Sequence, residues 1–377
     1  MRLTVKFCIL MNVIIILLLS GCIEKSMDAS PSPEPLNKSE SNESNSVNLP
    51  VVPLDVGSGK FEKSYGWLDD QTILYSYVDK GKYYVSSYEL YKGDSEIIFA
   101  SSTPIVNVII HPMQEKLLIH TSPSTHGAEV FITDAQGDIS FSTEIESYEL
   151  AIEWNKKDAT QMFITAFYED WTYDIHHLDL STNNMNKVPH LEPFMKWLGN
   201  SVIEQRWNEN DEAFFAPLWK TFIDRDKKTE LLKDEVYRFD VFSDYLMVIT
   251  IPKNNQTVFE YQFFDLSMKR KNLLEKPNLT QYADWLIPYY DYNVAENKFI
   301  TFAPETHASV DTYNDGFKLI ELDLDDGKEK ELIVDIDNQP ISCAASGNQC
   351  LYGYQLENLL NLKTGKIEKI MKDNKAE

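Results

Sequence analysis

A single all-β propeller is the fold the sequence predicts. Three observations point to it: a strand–turn–strand unit recurring about every 45 residues, scarce helical periodicity, and plentiful Tyr, Phe, Ile and Val. In each unit an apolar strand ends in a short acidic or amide residue, followed by a polar turn and a second strand. The anchors are Glu89, Asp134, Asp179, Asp224, Asp265, Asp323 and Asn361, with turns at Gly93-Asp94, Gln136-Gly137, Asn183-Asn184, Asp326-Gly327 and Thr364-Gly365. Asp and Asn side chains accept hydrogen bonds from backbone N–H groups just ahead of them, and Gly or Asn tolerates the positive φ of a tight hairpin. Two further β-rich segments lie between anchors, as at 106–110 with 116–120, or 150–154 with 161–167, so each unit holds four strands. Four-stranded repeats of about 40 to 50 residues cover their faces by stacking and protect their edges by closing a ring. The expected propeller spans 61–377 with about seven blades. The fourth unit, 197–232, is hard to divide into strands, which leaves six open.

The N-terminus predicts export. Arg2 and Lys6 precede an apolar run from Phe7 to Leu19, interrupted only by Asn12. About 13 residues are too few to span a bilayer, which takes ~20, so a signal peptide over 1–21 is the better reading. Leu19-Ser20-Gly21-Cys22 closes the run as a lipobox, which makes Cys22 the lipidated N-terminus of the mature chain. Two or three acyl chains, at ~0.8 kcal/mol per buried CH₂, hold far better than one. The expected location is the outer face of the cell membrane, through a lipid anchor. From Ser26 to Pro50 the chain is Ser, Asn, Pro and Glu with little apolar surface, so 22–60 is read as the lipidated end and a disordered tether.

Thirty-five Lys and Arg against 59 Asp and Glu give a net charge of −24, a field that repels phosphates and excludes nucleic acid as a partner. Taken together, the lipobox, the polar tether, Gly66-Trp67-Leu68 and the Asp-Leu hairpins resemble the YqgU-like β-propeller lipoproteins of spore-forming Gram-positive bacteria. The resemblance implies an extracytoplasmic lipoprotein of six blades, one fewer than the anchors suggest, and carries over no catalytic residue.

Cys343 and Cys350 remain once Cys8 leaves with the leader and Cys22 is acylated. With Ser346-Gly347 as a two-residue turn they face each other across a hairpin, which predicts a disulfide; two reduced thiols in a strand pair are the alternative. Reaction signatures are missing: there is no Gly-x-Ser-x-Gly elbow, His-Glu-x-x-His helix, phosphate-cradling Gly-rich loop or Cys-x-x-Cys pair. No catalytic residue is therefore assigned.

In a propeller of this register, the loops joining second to third strands share one face with the connections between blades. Candidate binding residues on that face are His126 in the loop 122–127, Glu169, Asp170 and Trp171 in 168–172, and His307, Asp311, Tyr313 and Asp315 in the long insert 303–316. No cofactor is expected. Asp311, Asn314 and Asp315, or Asp323, Asp325 and Asp326, are the oxygen sets that would suit Ca²⁺, but neither run keeps the full Ca²⁺ loop pattern. His176, His177 and His190 suggest no zinc site, since adjacent strand residues point to opposite faces. The expected function is non-catalytic binding of an envelope protein or a cell-wall polymer. The alternative is a wall hydrolase or lyase with Glu169 or Asp170 as acid or base.

Overall fold

The computed structural model describes residues 50–113, 116–208, 214–223 and 228–372. The signal peptide, Cys22, most of the expected tether and the anchor Asp224 lie outside the described residues. Seven four-stranded antiparallel sheets succeed one another at 60–101, 105–146, 149–187, 196–236, 238–277, 290–336 and 341–369, here called blades 1 to 7. In each, the strands pair in chain order, so no blade is completed by a strand from the opposite terminus. A small sheet pairs Leu279–Gln281 and Asp284–Leu286, from the connection between blades 5 and 6, with Ala308–Ser309, from the loop between the second and third strands of blade 6.

Burial peaks at the second strand of a blade and falls to the outer fourth. Second strands read as near-continuous apolar runs, such as Gln161–Phe167, Tyr245–Thr250 and Lys298–Pro304, because neighbouring blades cover both of their faces. Fourth strands such as Ile139–Glu146 and Thr229–Val236 are mostly exposed and polar. Seven apolar clusters result, and each joins two adjacent blades. The seam between blades 5 and 6 is the most aromatic, with Tyr237, Phe259, Tyr261, Phe263 and Phe299 all about 1% exposed or less. A fully buried side chain of this size stabilises the fold by roughly 1.5–3 kcal/mol. Blade 7 packs on blade 1 through Leu351 and Leu359 against Trp67, Ile73 and Tyr75, which closes the ring.

The six described anchors stand where the third strand of a blade turns into the fourth. Asp134 Oδ1 accepts the N–H groups of Gln136 and Asp138, Asp265 Oδ1 those of Ser267 and Lys269, and Asn361 Oδ1 those of Lys363 and Thr364. Positive φ occurs at Gly93, Gly137, Asn183, Gly327 and Gly365, within the turns the sequence marks. Gly137 meets a second demand, since a Cβ there would lie 2.1 Å from the Ile98 carbonyl oxygen of blade 1.

The folded head starts ahead of Phe61. Val52 N–H donates to the Leu90 carbonyl at 2.8 Å, and Leu54 bridges in parallel to Met371 while its side chain, 1% exposed, enters the seam between blades 7 and 1. The tether expected over 22–60 therefore gives way to packed chain in its last ten or so residues. The physical reason is Leu54 with Val51 and Val56, a short apolar run beside a Pro-rich stretch, which has a seam to bury itself in.

Candidate functional site

Two concavities concern function, one on each face of the ring. The first lies on the face of the loops between second and third strands. In blade 2 the hairpin narrows to Ser124 opposite Gly127, leaving His126 at its tip. In blade 3, Tyr168 N–H donates to the Thr172 carbonyl, and Asp170 Oδ1 accepts both the N–H and the hydroxyl of Thr172 at 3.0 and 2.6 Å. These bonds, the Thr172 hydroxyl first, hold the exposed Asp170 carboxyl below the usual carboxylate range. His126, Glu146, Tyr148, Tyr168, Glu169 and Asp170 line one cleft of 310 Å³ between the two blades. Trp171, at φ 66° and 85% exposed, follows in the same loop, its N–H donating to the Tyr168 carbonyl at 3.0 Å. Tyr148 is 58% exposed with its ring 6.3 Å from that of His126. Phe194, 63% exposed in the connection to blade 4, stacks on Phe167, which also meets Tyr173.

The insert 303–316 goes elsewhere. His307 Nδ1 lies 2.9 Å from both the carbonyl and the side-chain oxygen of Asn278, and Ala308–Ser309 pairs with Leu279 and Thr280. Tyr313 accepts the Glu305 N–H at 2.8 Å, donates to the Gly316 carbonyl, and sets its ring against Phe317. Asp311 and Asp315 are exposed on this insert. The structure thus gathers His126, Glu169 and Asp170 and leaves His307, Asp311, Tyr313 and Asp315 on the blade 6 side of the ring. Asp323 Oδ1 is occupied by the N–H groups of Asp325 and Asp326, and the Asp326 carboxylate by Lys328. Among the described residues no three His, Cys, Asp or Glu side chains form a metal-holding group.

Cys343 and Cys350 are directly opposed in register and joined as a disulfide at the inner edge of blade 7.

The second concavity, of 720 Å³, lies on the ring axis and opens on the opposite face, where first strands turn into second strands. Its walls come from the ends of the inner strands Lys60–Trp67, Ile105–Ile110, Arg238–Phe242, Tyr290–Asn293 and Ile341–Cys343. Asp240 accepts the Tyr290 hydroxyl at 3.0 Å and has Lys196 Nζ at 3.9 Å; Lys196 pairs more closely, at 3.1 Å, with Glu153. Asp291 accepts two backbone N–H groups, from Cys343 at 2.6 Å and Tyr292 at 2.8 Å. Burial pushes its carboxyl up, with the two N–H groups and then the charge of Lys156 opposing. The sequence reading missed this site. Its signal was a lone Asp between aromatic or apolar residues inside a strand, at Phe239-Asp240-Val241 and Tyr290-Asp291-Tyr292, an uncommon place for a carboxylate.

A closed ring of meander blades with an axial cavity and a loop-face cleft defines a β-propeller protein. The model of the YqgU-like 6-bladed beta propeller domain matches residues 89–353, and the chain belongs to that family. The family is described by six blades, the number the sequence left open, whereas the described residues of this chain form seven four-stranded sheets, five of them complete within the matched stretch. The chain is 26% identical over 325 residues to the uncharacterized lipoprotein YqgU of Bacillus subtilis (strain 168), covering 86% of this chain and 88% of that protein. A crystal structure of the uncharacterized protein lmo1340 from Listeria monocytogenes EGD-e superposes with a TM-score of 0.79 at 22% identity, covering 86% of this chain and 99% of that one. The β-propeller domain of the Trilobed protease from Pyrococcus furiosus, described as having an open velcro topology, shares the fold at TM-score 0.56 and 11% identity, over 85% and 100% of the two chains.

Proposed function

We propose that this protein is a cell-surface lipoprotein, acylated at Cys22 on the outer face of the membrane, whose propeller binds a cell-wall polymer without transforming it. The observation that carries the reading is the aromatic patch of Tyr148, Trp171, Tyr173 and Phe194, exposed on one face of blades 2 to 4 beside Glu146, Glu169 and Asp170. Solvent-facing rings stack on sugar faces, and neighbouring carboxylates accept hydrogen bonds from sugar hydroxyls. Similarity to a lipoprotein over most of the chain supports the anchor.

Hydrolase or lyase chemistry is the weaker reading. A glycosidase needs one carboxyl kept protonated by its surroundings, and Asp170 is instead held ionised by Thr172. The test is co-sedimentation of the full chain, in non-ionic detergent, with purified cell-wall sacculi. Wild type should pellet, and the double substitution Tyr148→Ala with Trp171→Ala should stay largely in the supernatant. Equal sedimentation of the two proteins defeats the patch. Release of soluble wall fragments, abolished by Glu169→Gln with Asp170→Asn, would establish the enzymatic alternative.

A further inference from the structure

We infer that the axial cavity is a binding site for a small organic cation, a quaternary or primary ammonium, held by Asp291 within an aromatic wall. This site lies on the face opposite the loop-face patch and does not depend on it.

Charge balance is the first argument. Asp240, Asp291, Lys156 and His111 are the titratable groups among the cavity walls besides the tyrosines, and the Lys196–Glu153 pair adjoins Asp240. Lys196 lies between Glu153 and Asp240. Lys156 donates to the Val241 carbonyl with its Nζ 5.8 Å over the Phe242 ring. Among the described residues no cation is within ion-pair distance of Asp291, whose partners are the Cys343 and Tyr292 amides. A carboxylate deep in a ring, with the Lys156 ammonium acting on it only from beyond ion-pair distance and a cavity in front of it, is costly when ionised, and a ligand cation in contact lowers that cost.

The walls supply the second argument. Tyr65, Trp67, Phe242, Tyr290 and Tyr292 all line the same space. Aromatic faces attract a desolvated cation through the ring quadrupole, and Lys156 over Phe242 shows an ammonium already accommodated there. A volume of 720 Å³ lies in the range of small-molecule sites and leaves room for a ligand of choline size. A net charge of −24 favours the approach of cations to the chain.

The probes are choline and its neutral isostere 3,3-dimethylbutan-1-ol, titrated calorimetrically into the full chain in non-ionic detergent. Choline should bind saturably and at least about tenfold more tightly than the isostere. Asp291→Asn and Tyr292→Leu should each weaken choline by about tenfold or more, whereas Tyr148→Ala should leave it unchanged. Two substitutions of different chemistry keep the result readable if one of them fails to fold. No saturable choline binding, equal binding of the isostere, or wild-type affinity in a natively folded Asp291→Asn or Tyr292→Leu protein would overturn the inference. Because Tyr148 lies on the other face, loss of sacculus binding there leaves this result standing, and the reverse also holds.

Discussion

Leu54 and Ile370 hold the two ends of the propeller together: the Leu54 N–H donates to the Ile370 carbonyl at 2.7 Å, and the Leu54 carbonyl accepts from Lys372 N–H at 2.9 Å. Among the described residues the blades exchange no strand, so first and last blade are linked through the backbone by this short bridge and by the Ser64 N–H to the Gln355 carbonyl at 2.9 Å, with Leu54 filling the seam. An unpaired seam is where a ring of separate sheets opens first. Leu54→Ala keeps both hydrogen bonds and removes only the buried side chain. It should cost about 2–5 kcal/mol in urea unfolding. A loss within ±0.5 kcal/mol would show that the segment merely lies on the surface.

The Cys343–Cys350 disulfide spans seven residues of chain. So short a loop limits the unfolded chain modestly, and replacing both cysteines by Ala should lower stability by about 2 kcal/mol. The loss should concentrate in blade 7, where hydrogen exchange of the Leu351 and Leu359 amides would accelerate ahead of those in blade 3. Uniform acceleration across the ring would contradict a local role.

Asp291 makes a pH prediction of definite sign. Burial raises its carboxyl above the ordinary 3.8, so the native protein holds that proton more tightly than the unfolded chain. Its contribution is fully present below pH 3.8 and is lost as pH rises through the raised native value. Asp291→Asn should abolish that part of the decline in urea midpoints measured from pH 4 to 7. Choline binding should show the opposite trend, strengthening as the carboxyl ionises.

Asp265 titrates the other way. The Ser267 hydroxyl and the Lys269 N–H hold its carboxyl down to about 2, so the turn of blade 5 is supported above pH 3.8 and loses that support as pH falls toward 2. Asp265→Ala should lower the melting temperature at pH 7. Asp265→Asn, which keeps an acceptor oxygen, should lie between the two. Thermal scans of the three proteins at pH 7 and pH 3 check both statements, and an identical melting temperature for wild type and Asp265→Ala at pH 7 counts against them.

The repeat was legible because its signals are local. An Asp or Asn that captures the next turn's amides, a Gly or Asn at positive φ, and a buried second strand each leave a mark within a few residues, as at Asp134 to Gly137. The cleft of His126, Glu169 and Asp170 was half legible for the same reason: blades 2 and 3 are adjacent, so their loops had to be neighbours. The insert carrying His307 and Tyr313 was not, because its direction depends on Asn278, a buried residue with no pattern of its own.

By itself the sequence determined the repeating sheet module, its turns and the expectation of export, all properties of short stretches read in order. Only the tertiary structure decided where the head begins, how the ring closes and what faces the axis. Leu54 finds its partner more than 300 residues away, and the surroundings of Asp291 are set by strands from blades distant in the chain. Such relations depend on the ring's closure, which places side chains together without regard to their order in the chain.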